Sequence, residues 1–288
     1  MCNVFDISRE GYYKQQRRTI EKEKEKQIVL FYVKKDRKTQ PRSGGKKVYK
    51  AIRKKIEKKG IHCSRDRLFS ILREENMLVK KKRNYARTTN SYHKFRKHKN
   101  LVKEKVISTP EQVVVSDITY IKTNFGFLYL YLITDYYSKK IMGWNLSDNL
   151  KTVSAVKALN MLLKNRKYPK RSLIHHSDRG IQYCDPTYTE ILEKMGILIS
   201  MTQNSDPYEN AVAERVNGIL KDEFDIGYIK GEEKLVRREI KRVIQIYNTK
   251  RMHLSCNYMT PEQAHKKGKY EMKKWPKKYK VKNVKPIS

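Results

Sequence analysis

Four side chains in the middle of the sequence have the types and spacing to act on a phosphodiester: Asp117, Asp178, Glu214 and Lys221. Carboxylates that converge on one point can face divalent cations, which take oxygen ligands, and a nearby lysine can hold a phosphate as a point charge. Thirty-five residues separate Asp178 from Glu214, and Lys221 follows Glu214 by seven. Each acid taken singly also has a plain structural reading. Asp178 precedes Arg179-Gly180 and can be a turn former, Glu214 can be a solvated helix face, and Asp117 can be an edge-strand acid.

The elements that must position them read as follows. Past Pro110, EQVVVSDITYIK alternates so that Val113, Val115, Asp117, Thr119 and Ile121 share one strand face, an unusual place for an acid. Asn124-Phe125-Gly126 marks a turn, FLYLYLITD a second strand and KIMGWNLS a third, which together predict an antiparallel meander. A helix over residues 151–165 follows, then SLIHHSD as a strand, DPTYTEILEKMG as a helix, ILISMT as a strand and a long helix from about residue 209. The order β-β-β-α-β-α-β-α puts Asp117 inside the first strand and Asp178 at the carboxyl end of the fourth, where open α/β sheets bind ligands. On the last helix Asn210, Glu214, Asn217 and Lys221 fall on one polar stripe, opposite an apolar stripe of Val212, Val216, Ile219 and Leu220. Asp135 ends the second strand, and DYYSKK reads as a turn into the third, so that acid is assigned to structure. His176 and Asn210 are candidates only for supporting the acids, and a satisfied buried histidine and a helix-start polar residue are their simpler readings.

Charge places binding around this middle. The net charge is +36, from 66 Lys and Arg against 30 Asp and Glu, which calls for a polyanionic partner. Residues 1–105 carry a net +23, residues 106–227 a net 0 and residues 228–288 a net +13. Two basic arms suit phosphate neutralisation, while a neutral middle can carry clustered carboxylates. No stretch approaches the roughly 18 apolar residues of a membrane span, and no basic segment followed by an apolar run opens the chain, so a cytoplasmic protein is expected. Cys2, Cys63, Cys184 and Cys256 are too scattered for a zinc site or a disulfide framework and read as free thiols.

The first arm predicts a charged helix over residues 15–38 with an apolar patch at Ile28, Val29 and Phe31. A second helix carries Val48, Ile52 and Ile56 and stops at Gly60, and a third, capped by Ser64, carries Leu68, Ile71 and Leu72. The pair resembles a helix-turn-helix in which Arg65, Arg67 and Arg73 could contact DNA, with simple packing as the alternative. Residues 80–100 read as a basic linker that orders on DNA. The last arm opens with a helix over residues 232–249, packing through Val236, Ile240, Val243 and Tyr247 and leaving Arg237, Arg238, Lys241 and Arg242 for phosphate. A basic tail containing Trp275 completes it. The expected organisation is a charged helical segment (1–40), a helix-turn-helix with basic linker (41–105), a catalytic core (106–227) and a basic helical C-terminal segment (228–288).

The spacing of the acids, with Lys221 beyond them, resembles the DDE catalytic domain shared by retroviral integrases and many bacterial insertion-sequence transposases. VVVSDITYIKT, ITDYYSKKIMGW, LIHHSDRGIQY, SMTQNSDPYENAVAERVNGILKDEF and YNTKRMHLSCNYMTPEQA resemble successive segments of OrfB-type transposases, as does PRSGGKKVYKAI near the start. The likeness spans roughly residues 40–265, with Ser205, Glu209 and Arg215 standing where Gly, Asp and Ser are commoner. It implies an RNase H-like α/β fold and two Mg²⁺ or Mn²⁺ ions, bridged by Asp117 and flanked by Asp178 and Glu214, with Lys221 anchoring a phosphate. It further implies metal-dependent cleavage and strand transfer of DNA ends by a nucleoid-associated homo-oligomer. The partner implied is a second helix-turn-helix protein encoded in an upstream frame and fused by frameshifting, because this chain opens with little sequence before its own reader. A structure-specific nuclease of the same fold and a non-catalytic DNA-binding regulator are the alternatives.

Overall fold

The computed structural model describes residues 8–79, 94–103, 105–203 and 207–271. Its centre is a five-stranded sheet built from β1 (Val113–Thr123), β2 (Gly126–Asp135), β3 (Ile141–Ser147), β4 (Ile174–Ser177) and β5 (Leu198–Met201), in the order β3-β2-β1-β4-β5. The first three strands form the antiparallel meander, with β1 and β2 in register from Val114↔Asp135 to Thr123↔Gly126. Gly126 closes that hairpin at φ +120°, a conformation open to glycine. β4 joins β1 in parallel, from Val113↔Ile174 to Val115↔His176 and no further, and β5 extends the parallel half. Beyond Val115, β1 leaves β4 and runs on with β2, bridged near its end by Lys122 to Tyr228, and a fork opens between it and the end of β4.

Period-2 alternation gives the sheet two apolar faces, and helices cover both. Ile121, Leu128, Leu130 and Leu132 pack under α7 (Ala211–Glu223) and α8 (Glu233–Thr249), which bring Val216, Ile219, Leu220, Val236, Ile240, Val243 and Tyr247. Val114, Tyr131, Ile133 and Met142 pack on the other side under α4 (Thr152–Asn165) and α6 (Pro186–Lys194), with the four-residue α5 (Ile181–Cys184) between β4 and α6. A Cβ on Gly143 would stand 2.2 Å from the Ala158 carbonyl oxygen, so only glycine lets α4 lie this close to β3. The mixed sheet with helices on both faces is the RNase H-like α/β fold expected, in the expected order apart from α5.

Among the described residues three helices precede it: α1 (Arg9–Arg37), α2 (Gly45–Glu57) and α3 (Arg65–Glu74). They bury a cluster of their own, including Val29, Leu30, Val33, Val48, Ile52, Ile56, Leu68 and Leu72. Ser64 caps α3 by accepting from Arg67 N at 3.2 Å, and Gly60 ends the preceding turn at φ +74°. α1 differs from expectation in starting at Arg9 rather than residue 15, where Ser8 caps it. Its buried stripe is Val29, Leu30 and Val33, while Ile28 and Phe31 are exposed, because the contact with α2 selects i, i+1 and i+4 rather than the most apolar run.

Glu223, at the end of α7, joins the two parts. It accepts from Arg251 Nε and Nη2 at 2.9 and 2.8 Å and from Lys47 Nζ of α2 at 2.7 Å, while its backbone oxygen accepts from Arg42 N at 3.2 Å. Burial and the neighbouring Arg251 push Lys47 down to about 8, and burial of Glu223 is outweighed by Arg251, which holds that carboxyl below its ordinary range. A further helix not expected from the sequence, α9 (Pro261–Lys267), starts with a complete capping box between Thr260 and Gln263.

Candidate active site

Asp117 sits on β1 two residues past the last pairing with β4, and Asp178 is the first residue after β4, so both carboxylates stand at the mouth of the fork. They line one cleft of ≈430 Å³. Asp117 faces the side of the sheet that α7 covers, which explains an acid on an otherwise apolar strand face.

Hydrogen bonds orient the two aspartates. Asp117 Oδ1 accepts from Ile118 N at 2.9 Å, and Oδ2 accepts from Asn217 Nδ2 of α7 at 2.6 Å. Asp178 Oδ1 accepts from Gly180 N at 3.0 Å. A Cβ at Gly180 would stand 3.0 Å from that same oxygen, so the turn favours glycine here. Glu214 projects from the first turn of α7 and is exposed. Burial, followed by the charge of Asp178, raises the Asp117 carboxyl to about 7, and Glu214 adds to the rise. Asp178 and Glu214 thus each lie within electrostatic reach of Asp117 and repel its charged form.

This crowding is the observation that fits a divalent cation. Carboxylate oxygens suit a hard ion, and an ion among them would offset the burial and the neighbouring Asp178 charge that raise the Asp117 carboxyl. Among the described residues no group of three or more His, Cys, Asp or Glu side chains converges as a ready-made metal cage. Lys221, two turns beyond Glu214, lies with Nζ 4.3 Å from the Tyr120 ring centroid and within the field of Asp117.

The remaining candidates separate by geometry. His176 is a satisfied buried histidine, with Nδ1 at 2.8 Å from Ser200 Oγ and Nε2 at 3.0 Å from the Glu209 carbonyl. Its neighbour His175 shares Nε2 between Ser116 and Tyr188 hydroxyls at 2.7 and 2.9 Å, and burial lowers it to about 3, leaving it neutral. Asn210 donates to the Ser116 carbonyl at 3.2 Å and braces the start of α7 against β1. Asp135 belongs to a buried network: it accepts from Glu111 N at 2.7 Å and from Ser138 N and Oγ at 2.7 and 2.6 Å. Glu111 in turn meets His265 of α9 at 3.1 Å and Arg166 at 3.2 Å.

Arg65, Arg67 and Arg73 lie on α3, far along the chain from the acids. Arg67 is engaged by Glu25 of α1 at 2.7 Å and Arg65 by the adjacent Asp66 at 2.9 Å, while Arg73 is exposed. Of the cations expected on α8, Arg237 is held by Glu233 and the Leu146 carbonyl, both at 2.6 Å, and Arg242 by Glu239, whereas Arg238 and Lys241 are exposed. The linker expected over residues 80–100 lies outside the described residues up to 93. From 94 it runs beside β5, with Leu101 N donating to Ser200 Oγ at 2.8 Å and Lys99 O accepting from Met201 N, while Lys94, Arg96, Lys97 and Lys99 are exposed. Trp275 and the rest of the basic tail also lie outside the described residues, as does Cys2; Cys63, Cys184 and Cys256 are free thiols.

Sequence reasoning set Asn217 on the polar stripe of α7 without seeing its role. Its spacing i+3 from Glu214 was the available signal, since a residue there shares the face that meets Asp117. Tyr120 carried no signal, because its neighbour Lys221 is distant in sequence.

Comparison with known proteins shows the family of the chain. The integrase core domain family matches residues 108–207, and a second family of the same description matches residues 195–261. A 31 kDa protein of insertion element IS600 from Shigella sonnei is 33% identical over 265 residues, covering 91% of this chain and 96% of that protein. Transposase InsF for insertion sequence IS3A from Escherichia coli K12 is 30% identical over 283 residues, 93% of each chain. The HTLV-2 integrase catalytic core domain, solved in complex with magnesium, is 16% identical, with a TM-score of 0.43 over 54% of this chain and 97% of its own, a likeness too distant to add to the strand order.

Proposed function

The chain belongs to the insertion-sequence transposases with an integrase core, and from that premise we propose that Asp117, Asp178 and Glu214 are its catalytic carboxylates. The reaction is cleavage of DNA at the ends of an insertion sequence and joining of the freed 3′ ends to a target. The observation that supports this most is the fork between β1 and β4. It sets Asp117 and Asp178 on one cleft, with Glu214 close enough to raise Asp117 further.

Asp117, Asp178 and Glu214 would hold two Mg²⁺ or Mn²⁺ ions, which when bound would supply Lewis acidity at the scissile phosphate. The protein's own groups define where that happens. Asn217 fixes the orientation of Asp117 through Oδ2, and the Gly180 N–H fixes Asp178 through Oδ1. Lys221, held over Tyr120, supplies a positive charge for a phosphate beside the scissile one. Exposed cations of the two arms, such as Arg73, Arg238 and Lys241, add sequence-independent affinity. The working species is a homo-oligomer on DNA, assisted by a helix-turn-helix partner from an upstream frame.

Incubation of the purified chain with Mn²⁺ and duplexes carrying the element's ends tests the reading. Nicked and joined products are expected. Nicks without joining would make the protein a nuclease, and a mobility shift with no cut strand would make it a regulator.

A further inference from the structure

The cleft that holds Asp117 and Asp178 has a second, apolar end that the chemistry above does not use. Phe127, Leu150 and Ile181 line it and are 52%, 44% and 44% exposed. The wall is built: Gln182 Nε2 donates to the Leu150 carbonyl at 2.9 Å, tying α5 to the connection between β3 and α4, and the Phe127 ring stands edge-on to Tyr120 at 5.6 Å and 89°. Lys221 approaches the Tyr120 ring at 4.3 Å. A phosphate handle, an aromatic pair and an apolar slot thus adjoin two carboxylates in a chain of net charge +36.

A phosphodiester alone gives no use for solvent-exposed apolar surface, because its oxygens need cations and donors. The base carried by the same nucleotide does, since its π-face stacks on aromatic rings whatever its sequence identity. A base still paired in a duplex cannot enter a slot of ≈430 Å³, so one that enters has left its stack, as in enzymes that act on extruded nucleotides. We propose that the apolar end of this cleft receives one unpaired nucleobase next to the scissile phosphate, stacked on Phe127 between Tyr120 and the Leu150–Ile181 wall. Its placement beside the scissile phosphate rests on the catalytic reading of the acids; the stacking subsite does not. Phe127 is then a positioning residue that holds the strand while the carboxylates act on it.

The test is equilibrium binding in Ca²⁺ by the full chain to two end duplexes. One has a single unpaired nucleotide at the cleavage point, and the other has an abasic nucleotide at the same place. The wild type should prefer the intact base by about tenfold or more, within the range of base–aromatic stacking. Phe127→Ala should remove the preference and Phe127→Tyr should keep it; Phe127 is exposed, so neither change disturbs the core. No preference in the wild type, or an undiminished one in Phe127→Ala, would overturn the proposal. A wild type that shows the preference yet never cuts in Mn²⁺ would overturn the reading of the acids and leave the subsite standing.

Discussion

At the scale of single residues the site is a contest between repulsion and support. Asp117 is raised to about 7 by burial and by Asp178, and it is steadied by the 2.6 Å bond from Asn217. Replacing Asp117 or Asp178 by Asn, or Glu214 by Gln, should abolish end cleavage while DNA affinity stays the same or rises, because an anionic charge leaves the neighbourhood of phosphate. Gel assays of cleavage and binding on the same preparations check this, and full activity in any of the three would remove that acid from the site. Asn217→Ala should cost about 10- to 100-fold in cleavage rate, the usual effect of losing a group that orients a ligand, with Mn²⁺ partly restoring it. A rate equal to wild type would mean that the Asn217 bond merely packs α7 on β1. The positions of Asp117 inside β1, Asp178 just after β4 and Glu214 at the start of α7 could be read from pattern and spacing. Asn217 could be placed but not assigned, because its partner is a hundred residues away in the chain and local periodicity carries no such pairing.

At the scale of elements, strand alternation and the helix stripes were enough to order the sheet and its layers, since burial on two faces leaves few other solutions. The expected stripe Val236, Ile240, Val243 and Tyr247 is fully buried on α8. The short parallel pairing of β1 with β4, which makes the fork, and the polar networks that lock element ends together could not be read, because they join residues with no shared period. Glu111 is the clearest case. Burial alone would raise its carboxyl, yet His265, the Lys167 and Tyr168 N–H groups and Arg166 together hold it at about 2. A carboxyl depressed on folding contributes stability that is present above its unfolded value of 4.5 and is lost as pH falls toward 2, here about 3 kcal/mol. Thermal melts at successive pH values should show that loss in the wild type and a flatter profile in Glu111→Gln, which starts less stable at neutral pH. Parallel profiles would remove Glu111 from the linkage. The Glu223 clasp belongs to the same scale. Glu223→Gln leaves Arg251 without its carboxylate and should cost about 2 kcal/mol, between the values for exposed and buried pairs, together with faster proteolysis between α2 and the sheet. An unchanged melt and digestion pattern would show that α2 is held by other contacts.

For the whole molecule, charge distribution indicated binding at the ends and chemistry between them, but the structure narrows which cations are available. Arg67, Arg237 and Arg242 are engaged with acids of their own surface, whereas Arg73, Arg238 and Lys241 are exposed. With roughly 6–10 phosphates neutralised, log K should fall against log salt with a slope of about −5 to −9, and a slope near −2 would mean that most cations never reach DNA. Such contacts carry no sequence information, so the chain alone should discriminate element ends from scrambled duplex poorly, and a linked second reader should restore discrimination. A preference of about 10³-fold by the isolated chain in a competition assay would contradict the need for a partner. The claim on which the rest depends is that the acids are metal ligands, and exchanging one oxygen donor for sulfur tests it most directly. Asp178→Cys should be inert with Mg²⁺, which binds thiolate poorly, and should recover end cleavage with the softer Mn²⁺ or Cd²⁺. Undiminished activity in Mg²⁺, or no recovery with either softer ion in a folded protein that still binds DNA, would contradict the assignment.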